Sequence, residues 1–198
     1  MTERAGVRRG PPGGFTLLEL LLVMAIVAAL TAVVLPSAQP TIVEQLRATA
    51  QIVATDLAYA RSLAVANNSN YKITFDVSGN QYTLTYSGTS PSLKQLPNTP
   101  FSSPGDTSEK HIVNLRELPG ADVRLAGVAA SDSLQPVDNI EFGPLGQTIR
   151  TEATTVWLAA GAGDRMRYIA VEVNPATGIA RAGDCTTVGP TSGMMTGP

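Results

Sequence analysis

An almost uninterrupted apolar run near the N-terminus constrains the fold more than any other feature of this sequence. Within residues 20–35 only Thr31 is not apolar, and residues 15–35 contain no Lys or Arg. As a helix with a rise of about 1.5 Å per residue, this run would be roughly as long as the ~30 Å hydrocarbon core of a membrane is thick. The run therefore predicts a helix over residues 15–37 that crosses a membrane once.

The residues before the run are basic and then rich in Pro and Gly. Arg4, Arg8 and Arg9 lie in this segment, and basic residues keep that flank of an apolar segment on the cytoplasmic side. An ordinary signal peptide in front of a secreted enzyme, with cleavage near residues 36–38, would share these features. Against this alternative, the run exceeds the ~7–15 residues usual in such peptides, and it carries Glu19 near its start.

The sequence Gly14-Phe15-Thr16-Leu17-Leu18-Glu19, between a basic leader and the apolar run, resembles the class III signal of type IV pilins and of the pseudopilins of type II secretion. The resemblance implies that residues 1–14 are a cytoplasmic leader, that a prepilin peptidase cleaves after Gly14, and that the new amino group of Phe15 is methylated. It also implies that Glu19 stands where this family keeps a glutamate. Pro36 stands where many members have a helix-weakening proline.

The position of Glu19 has a physical explanation if Gly14 is the cleavage site. A carboxylate in hydrocarbon costs on the order of 2.5–3.5 kcal/mol at the membrane centre, and a buried one needs a cationic partner. The apolar run offers none, whereas cleavage would place an α-amine on Phe15, four residues away. We therefore expect Glu19 to pair with the Phe15 amine of its own chain or of a neighbouring subunit. The alternative is a Glu19 that lies at the membrane surface without a partner.

Beyond the apolar run, residues 38–67 predict an amphipathic helix. Pro36 removes a backbone donor, so the helix should kink or loosen there. Apolar residues then recur at steps of three and four, which predicts a stripe that packs on a sheet. The members of this stripe are Ile42, Val43, Leu46, Ala50, Val53, Leu57, Ala60 and Ala64.

Residues 68–184 predict a β-rich domain, and residues 185–198 a flexible tail. Alternation predicts a strand over residues 71–77, a turn at 78–80 and a returning strand through Tyr82, Leu84 and Tyr86. Residues 87–110 predict a long exposed loop. The remaining strand candidates are residues 111–118, 123–125, 139–142, 154–159, 168–173 and 179–181. The fold class is therefore α+β, with a long N-terminal helix, transmembrane and then amphipathic, packed on a C-terminal antiparallel β-sheet domain.

Residues 57–76, 140–150 and 167–183 resemble the helix end and strands of the GspH/FimT group of minor pseudopilins and pilins. The resemblance implies a pilin-like subunit that is held in the inner membrane by one helix, with its C-terminal domain in the periplasm. Its partners would be other minor and major pseudopilins through the N-terminal helix, the prepilin peptidase, the inner-membrane assembly platform and a secreted substrate. It would seed or cap a pseudopilus of type II secretion. A FimT-type minor pilin of a type IV pilus, with DNA binding in uptake, is the alternative.

We predict no catalytic residue, no cofactor site and no metal site. His111 and Cys185 are each the only residue of their type, which argues against a His-based triad, a disulfide and a multi-cysteine metal centre. Acidic pairs such as Asp138 and Glu141 lack the spacing of a calcium loop, so we interpret them as solvated turn residues. Cys185 is interpreted as a bystander near a Gly-rich terminus.

Charge argues against a nucleic-acid partner. The formal net charge is −2 and the isoelectric point is about 5.4, whereas a general nucleic-acid binder needs clustered Lys and Arg. Arg165, Arg167 and Tyr168 form a small basic and aromatic group that would suit a DNA contact. We favour the alternative that this group is a solvated strand end.

Overall fold

The computed structural model describes residues 15–37, 41–97, 105–118 and 123–190. The chain divides into two compact units, Met1–Gln39 and Pro40–Pro198, each of which is described by itself. The predicted leader over residues 1–14 lies outside the described residues, as do residues 191–198 of the predicted tail.

The first unit contains helix α1, Leu17–Ser37. Thr31, the polar exception in the apolar run, donates its hydroxyl to the Val27 carbonyl oxygen over 2.6 Å, so this group is satisfied within the helix. The helix ends one residue after Pro36, and the predicted kink at Pro36 stays a prediction. Within the described residues, no helix combines the length and the hydropathy that crossing a membrane requires.

The second unit begins with helix α2, Ile42–Ala66. Its start is fixed by a reciprocal capping box, in which the Thr41 hydroxyl accepts from the Glu44 N–H (3.3 Å) and the Glu44 carboxylate accepts from the Thr41 N–H (2.7 Å). The hydrogen bond from the Thr41 backbone also lowers the pKa of the Glu44 carboxyl. The helix ends where the Asn67 N–H and side chain both donate to the Leu63 carbonyl oxygen.

In the described residues of the second unit, eight antiparallel strands follow and form two four-stranded sheets. The first sheet has the order β3-β2-β1-β5 and contains β1 (Tyr71–Asp76), β2 (Gln81–Tyr86), β3 (Lys110–Asn114) and β5 (Asn139–Phe142). The second sheet has the order β4-β6-β7-β8 and contains β4 (Arg124–Ala130), β6 (Thr154–Ala160), β7 (Arg167–Val173) and β8 (Ala180–Ala182).

Helix α2 packs on both sheets, and its apolar stripe forms the centre of the core. The helix contacts β1 and β5 of the first sheet and β6, β7 and β8 of the second. The predicted stripe is buried from Leu46 to Ala64, whereas Ile42 and Val43 at its start are half-buried. The structure thus confirms the α+β fold class: helices come first, antiparallel strands follow, and a helix covers the sheets.

Two predicted strands differ from the observed ones by more than one residue at an end, and the reasons are local. Strand β4 continues to Ala130, beyond its predicted end. Its last four residues are all buried, so the alternation of apolar and polar residues that predicts a half-buried strand is missing there. Strand β3 ends at Asn114, whose side chain accepts from the Arg116 N–H (3.0 Å) and starts a short 3-10 helix, Leu115–Glu117.

The predicted exposed loop and flexible tail are partly wrong. Within the loop, Leu96 is buried and its N–H donates to the Ser108 carbonyl oxygen (2.7 Å). In the tail, Thr186 and Tyr168 exchange two backbone hydrogen bonds of 2.8 Å, which attaches residues 185–190 to β7. Cys185 packs against the core instead of standing apart from it. Both segments are held by backbone hydrogen bonds to residues distant in sequence, and the amino-acid composition of the segment itself does not predict such bonds.

A polar group is buried between α2 and the first sheet. Tyr82 on β2 donates a short hydrogen bond to the carboxylate of Asp56 on α2. His111 on β3 lies 2.8 Å from Asp106 and also interacts electrostatically with Asp56. Burial raises the pKa of Asp56, although the Tyr82 hydrogen bond and His111 oppose this effect. It also raises the pKa of Tyr82, which therefore stays protonated and donates.

The raised pKa of Asp56 predicts how Asp56→Asn changes stability. The folded state binds the Asp56 proton more tightly than the unfolded state, so ionisation of this carboxyl costs stability as pH rises through its folded pKa. Asn retains an acceptor for Tyr82 and cannot ionise. We expect the variant to match the wild type at about pH 4 and to gain relative stability towards about pH 7. Urea unfolding followed by the fluorescence of Trp157, the only tryptophan, measures this. A constant loss of stability at every pH would contradict the expectation.

Candidate functional site

The described part of the predicted processing segment is the start of helix α1. The Glu19 N–H donates to both the carbonyl oxygen (3.1 Å) and the hydroxyl (3.2 Å) of Thr16, so Thr16 caps the helix. Glu19 therefore lies in the first turn, where the helix dipole favours a carboxylate. Phe15 precedes this turn with an exposed side chain, and Gly14 lies outside the described residues.

The same Thr-x-x-Glu spacing occurs at the start of both helices. Both hydrogen bonds of a capping box form in α2, whereas only one of them forms in α1. In α2 the Glu44 carboxylate accepts from Thr41, as described above. In α1 the hydroxyl half is present, yet no hydrogen bond or ion pair to the Glu19 carboxylate occurs within the described residues. Thr16 thus positions Glu19 through its backbone N–H and not through its carboxylate. The Thr16-x-x-Glu19 pattern would have revealed this cap in the sequence.

The other predicted site residue of this segment lies far from Glu19. Pro36 is 17 residues further along the same helix, which corresponds to about 26 Å at 1.5 Å per residue. The structure therefore does not bring Glu19 and Pro36 together.

In the second unit, one arginine joins the three segments that resemble the GspH/FimT group. Arg61 on α2 donates its Nε–H to the carbonyl oxygens of Thr177 (2.7 Å) and Gly146 (3.2 Å). Thr177 lies in the turn between β7 and β8, and Gly146 lies in the turn after β5. Sequence reasoning named all three segments but not this contact, which we call the Arg61 junction.

Glycine is required at the Arg61 junction because the two turns touch. Gly146 and Gly178 have φ angles of 84° and 64°, in the left-handed region that favours glycine. A Cβ atom on Gly178 would lie only 2.0 Å from the Gly146 carbonyl oxygen. The close approach of the two backbones lets one guanidinium bind both turns.

The basic and aromatic group at residues 165–168 is largely engaged in local structure. Arg167 donates Nη1–H to the carbonyl oxygens of Asp164 (3.1 Å) and Met166 (2.8 Å). Tyr168 pairs with Thr186 through its backbone, and Arg165 is exposed. Within the described ranges there is also no cluster of His, Cys, Asp or Glu that could hold a metal ion.

Residues 12–35 match the family described as "Prokaryotic N-terminal methylation motif". The chain therefore carries a prokaryotic N-terminal methylation motif over these residues. Gly14, Phe15 and Glu19 lie inside the matched segment, and Pro36 lies one residue beyond it.

Two minor subunits of known structure are similar to the chain. The type IV minor pilin FimU of Pseudomonas aeruginosa is 19% identical over 75% of this chain and 94% of its own, with a TM-score of 0.44. The minor pseudopilin EpsH from the type 2 secretion system of Vibrio cholerae is 11% identical over 75% of this chain and 99% of its own, with a TM-score of 0.46. Both likenesses are too loose to transfer a role to this chain. No curated protein sequence matches it.

The contact between the two turns predicts unequal effects of two glycine substitutions. Gly178→Ala adds a Cβ that collides with backbone, whereas Gly163→Ala, also at positive φ (53°), meets nothing within 4 Å. Gly163→Ala should cost about 1 kcal/mol for its backbone conformation alone. Gly178→Ala should cost at least about 2–3 kcal/mol, because the junction must also open. Urea unfolding of both variants checks this, and equal losses would contradict a tight junction.

Proposed function

We propose that the chain is a minor pseudopilin, a structural subunit of the periplasmic pseudopilus of a type II protein secretion system. The observation that carries the proposal is the match of residues 12–35 to the methylation motif. The open capping box at Thr16 and Glu19 supports it, because an unoccupied carboxylate at the helix start is what a pairing role requires. The chain would be the substrate of a prepilin peptidase and would catalyse no reaction itself.

The proposed anchoring follows from charge and hydropathy. Arg4, Arg8 and Arg9 would stay in the cytoplasm, and residues 15–37 would enter the inner membrane as one helix. The second unit would then lie in the periplasm. Peptidase cleavage between Gly14 and Phe15 would convert an amide into an amine at the cytoplasmic end of this helix.

The proposed assembly step is the pairing of that amine with Glu19 of a neighbouring subunit. Both groups would move from the membrane into a filament core of low dielectric, where an unpaired charge is strongly unfavourable. A subunit displaced along the filament would leave both charges unpaired, so the pair would set the register of α1. The assembly partners would be major and minor pseudopilins, delivered through the inner-membrane assembly platform, and a position at the tip would place the second unit against secreted protein.

The N-terminus of the mature chain tests the processing step. Expressed together with a prepilin peptidase, the chain should start at N-methylated Phe15, and without the peptidase it should keep residues 1–14. Mass spectrometry of the intact protein distinguishes the two forms. A mature chain that starts near Gln39 would instead identify an ordinary secretory signal peptide and would refute the proposal.

Glu19→Ala tests the assembly step, and Glu44→Ala is its matched control. Both substitutions remove the carboxylate of a Thr-x-x-Glu pattern at a helix start, but only Glu44 is engaged in its own box. Glu19→Ala should be cleaved and kept in the membrane yet be lost from sheared filaments. Glu44→Ala should weaken the start of α2 and still be incorporated. Normal incorporation of Glu19→Ala would disprove the pairing role.

The phenotype of a deletion strain distinguishes a subunit of a secretion system from a subunit of a type IV pilus. Loss of protein secretion with normal pilus function is expected for a pseudopilin. Normal secretion with lost pilus function or lost DNA uptake would assign the chain to a pilus, with the same processing.

A further inference from the structure

A groove lies beside the first sheet, between its edge strand β5 and the segment that follows this strand. The groove has a volume of about 500 Å³, which is within the ~300–1,000 Å³ usual for ligand sites. Lys72 on β1 and Glu141 on β5 line it from the sheet. Ile149, Arg150 and Glu152 line it from the segment after β5. We call it the Arg150 groove.

The strand register favours an ion pair in this groove that does not form. Lys72 and Glu141 are directly opposite each other in the pairing of β1 with β5. They share the outer face of the sheet, because the buried residues next to them, Ile73 and Ile140, lie on the other face. Opposite charges at such a cross-strand position usually stabilise a sheet. Within the described residues, however, no ion pair joins these two side chains.

Hydrogen bonds to uncharged groups occupy Glu141 instead. Its Oε1 atom accepts from the side-chain amide of Asn70 (3.0 Å) and from the hydroxyl of Ser87 (2.9 Å). The half-buried Lys72 has neither an ion pair nor a side-chain hydrogen bond within the described part of the chain. The groove therefore contains an ammonium group without a counterion.

Glu152 is occupied in a similar way by the turn after β4. Its carboxylate accepts from the N–H groups of Asp132 (3.2 Å) and Ser133 (2.9 Å) and from the Ser133 hydroxyl (3.0 Å). The hydrogen bond from the Ser133 backbone lowers the pKa of the Glu152 carboxyl, and the charge of Arg150 adds to this effect. Arg150 and Glu152 nevertheless form no ion pair in the described ranges. Uncharged donors thus satisfy both carboxylates of the groove.

Arg150 has poor acceptors for its own donors. Its Nη2 atom donates to the Asn139 carbonyl oxygen over 3.5 Å, which is long for a hydrogen bond. Its Nε atom is buried and has no acceptor within the described residues. A guanidinium that is poorly satisfied in the free protein gains more than usual from a carboxylate, which can bind two of its nitrogens side by side.

The other lining groups add an apolar contact and further acceptors. Ile149 is 58% exposed, and its N–H donates to the Glu141 carbonyl oxygen (3.1 Å), which holds it at the edge of β5. The carboxylates of Glu141 and Glu152 keep lone pairs that can accept from N–H groups of a peptide. Two cations without an ion pair, an apolar side chain and several acceptors together suit a peptide that is acidic and partly apolar.

We propose that the Arg150 groove binds an acidic peptide segment of a partner protein. A carboxylate of this segment binds Arg150 and Lys72, an apolar side chain of the segment packs against Ile149, and its N–H groups donate to Glu141 and Glu152. Charge complementarity selects the partner, because only the cations of the groove have no counterion. All of these residues lie in the second unit, so binding is independent of how the N-terminus is processed.

Binding of a defined peptide tests this site. The probe is a fluorescein-labelled peptide, Gly-Asp-Leu-Glu-Leu-Gly with an amidated C-terminus, and its control carries Asn and Gln in place of Asp and Glu. Fluorescence polarisation is measured with the full chain in an uncharged detergent. The acidic peptide should bind at least about tenfold more tightly than the control, and added salt should weaken its binding. Equal affinity for the two peptides would overturn the proposal.

Substitutions in the chain show whether the peptide binds in the groove. Arg150→Gln and Lys72→Gln should each weaken binding of the acidic peptide about tenfold, because each removes one of the two cations. Arg181→Gln is the control and should bind as the wild type does, since Arg181 is also exposed but lies on β8 of the second sheet. Melting temperatures show whether the variants fold, and Lys72→Gln removes no side-chain hydrogen bond. Unchanged affinity in Lys72→Gln, or an equal loss in Arg181→Gln, would contradict the site.

Free citrate distinguishes a peptide site from a site for a small carboxylate. Citrate should displace the acidic peptide only at a large excess, because it has no apolar side chain for Ile149 and no N–H group to donate. Displacement at concentrations as low as those of the unlabelled peptide would assign the groove to a small carboxylate and overturn the peptide partner.

Discussion

Helix α2 has to cover two sheets with one face, and the rest of the second unit depends on this packing. The covering face contains Ala50, Ala60 and Ala64, all fully buried, between larger residues such as Leu46 and Leu57. Small side chains at these positions let the strands approach the helix backbone closely, while the leucines fill the space between the sheets. A larger residue at one of these alanines would have to push a sheet away, which a close-packed core tolerates poorly.

The same packing explains why polar groups on α2 are found where the helix face meets the sheets. Arg61 lies at the border of the buried stripe and ties down two turns that no strand pairing would hold together. Asp56 lies at another border and is held by Tyr82. Each of these side chains is costly to bury unless it is hydrogen-bonded, and each has a backbone or hydroxyl partner that compensates for this cost.

Local patterns in the sequence predicted the parts of the fold that local forces determine. The three- and four-residue periodicity predicted α2, and the Ser-Gly-Asn turn after alternating residues predicted the hairpin of β1 and β2. The family pattern around Gly14 and Glu19 lies within the segment that matches the methylation motif, and cleavage after Gly14 stays a prediction.

Long-range contacts account for what the sequence did not predict. The division of the strands into two sheets depends on which strand edges meet, and the last four residues of β4 are all buried and so show no alternation. Arg61 reaches carbonyl oxygens 85 and 116 residues away, and backbone acceptors leave no trace in side-chain identity. Thr186 attaches the tail to β7 through backbone groups in the same way.

The proposed assembly depends on an ion pair between an N-terminal amine such as that of Phe15 and the Glu19 carboxylate in the filament. Solid-state NMR on filaments with ¹⁵N at the Phe15 amine and ¹³C at the Glu19 carboxyl measures this pair directly. Filaments in which this chain carries ¹³C at the Glu19 carboxyl and the neighbouring pseudopilins carry ¹⁵N at their N-terminal amines should show transfer between the two nuclei, with the nitrogen and carboxylate oxygen within about 4 Å. If transfer is absent both from these filaments and from filaments that contain the doubly labelled chain, the ion pair does not form.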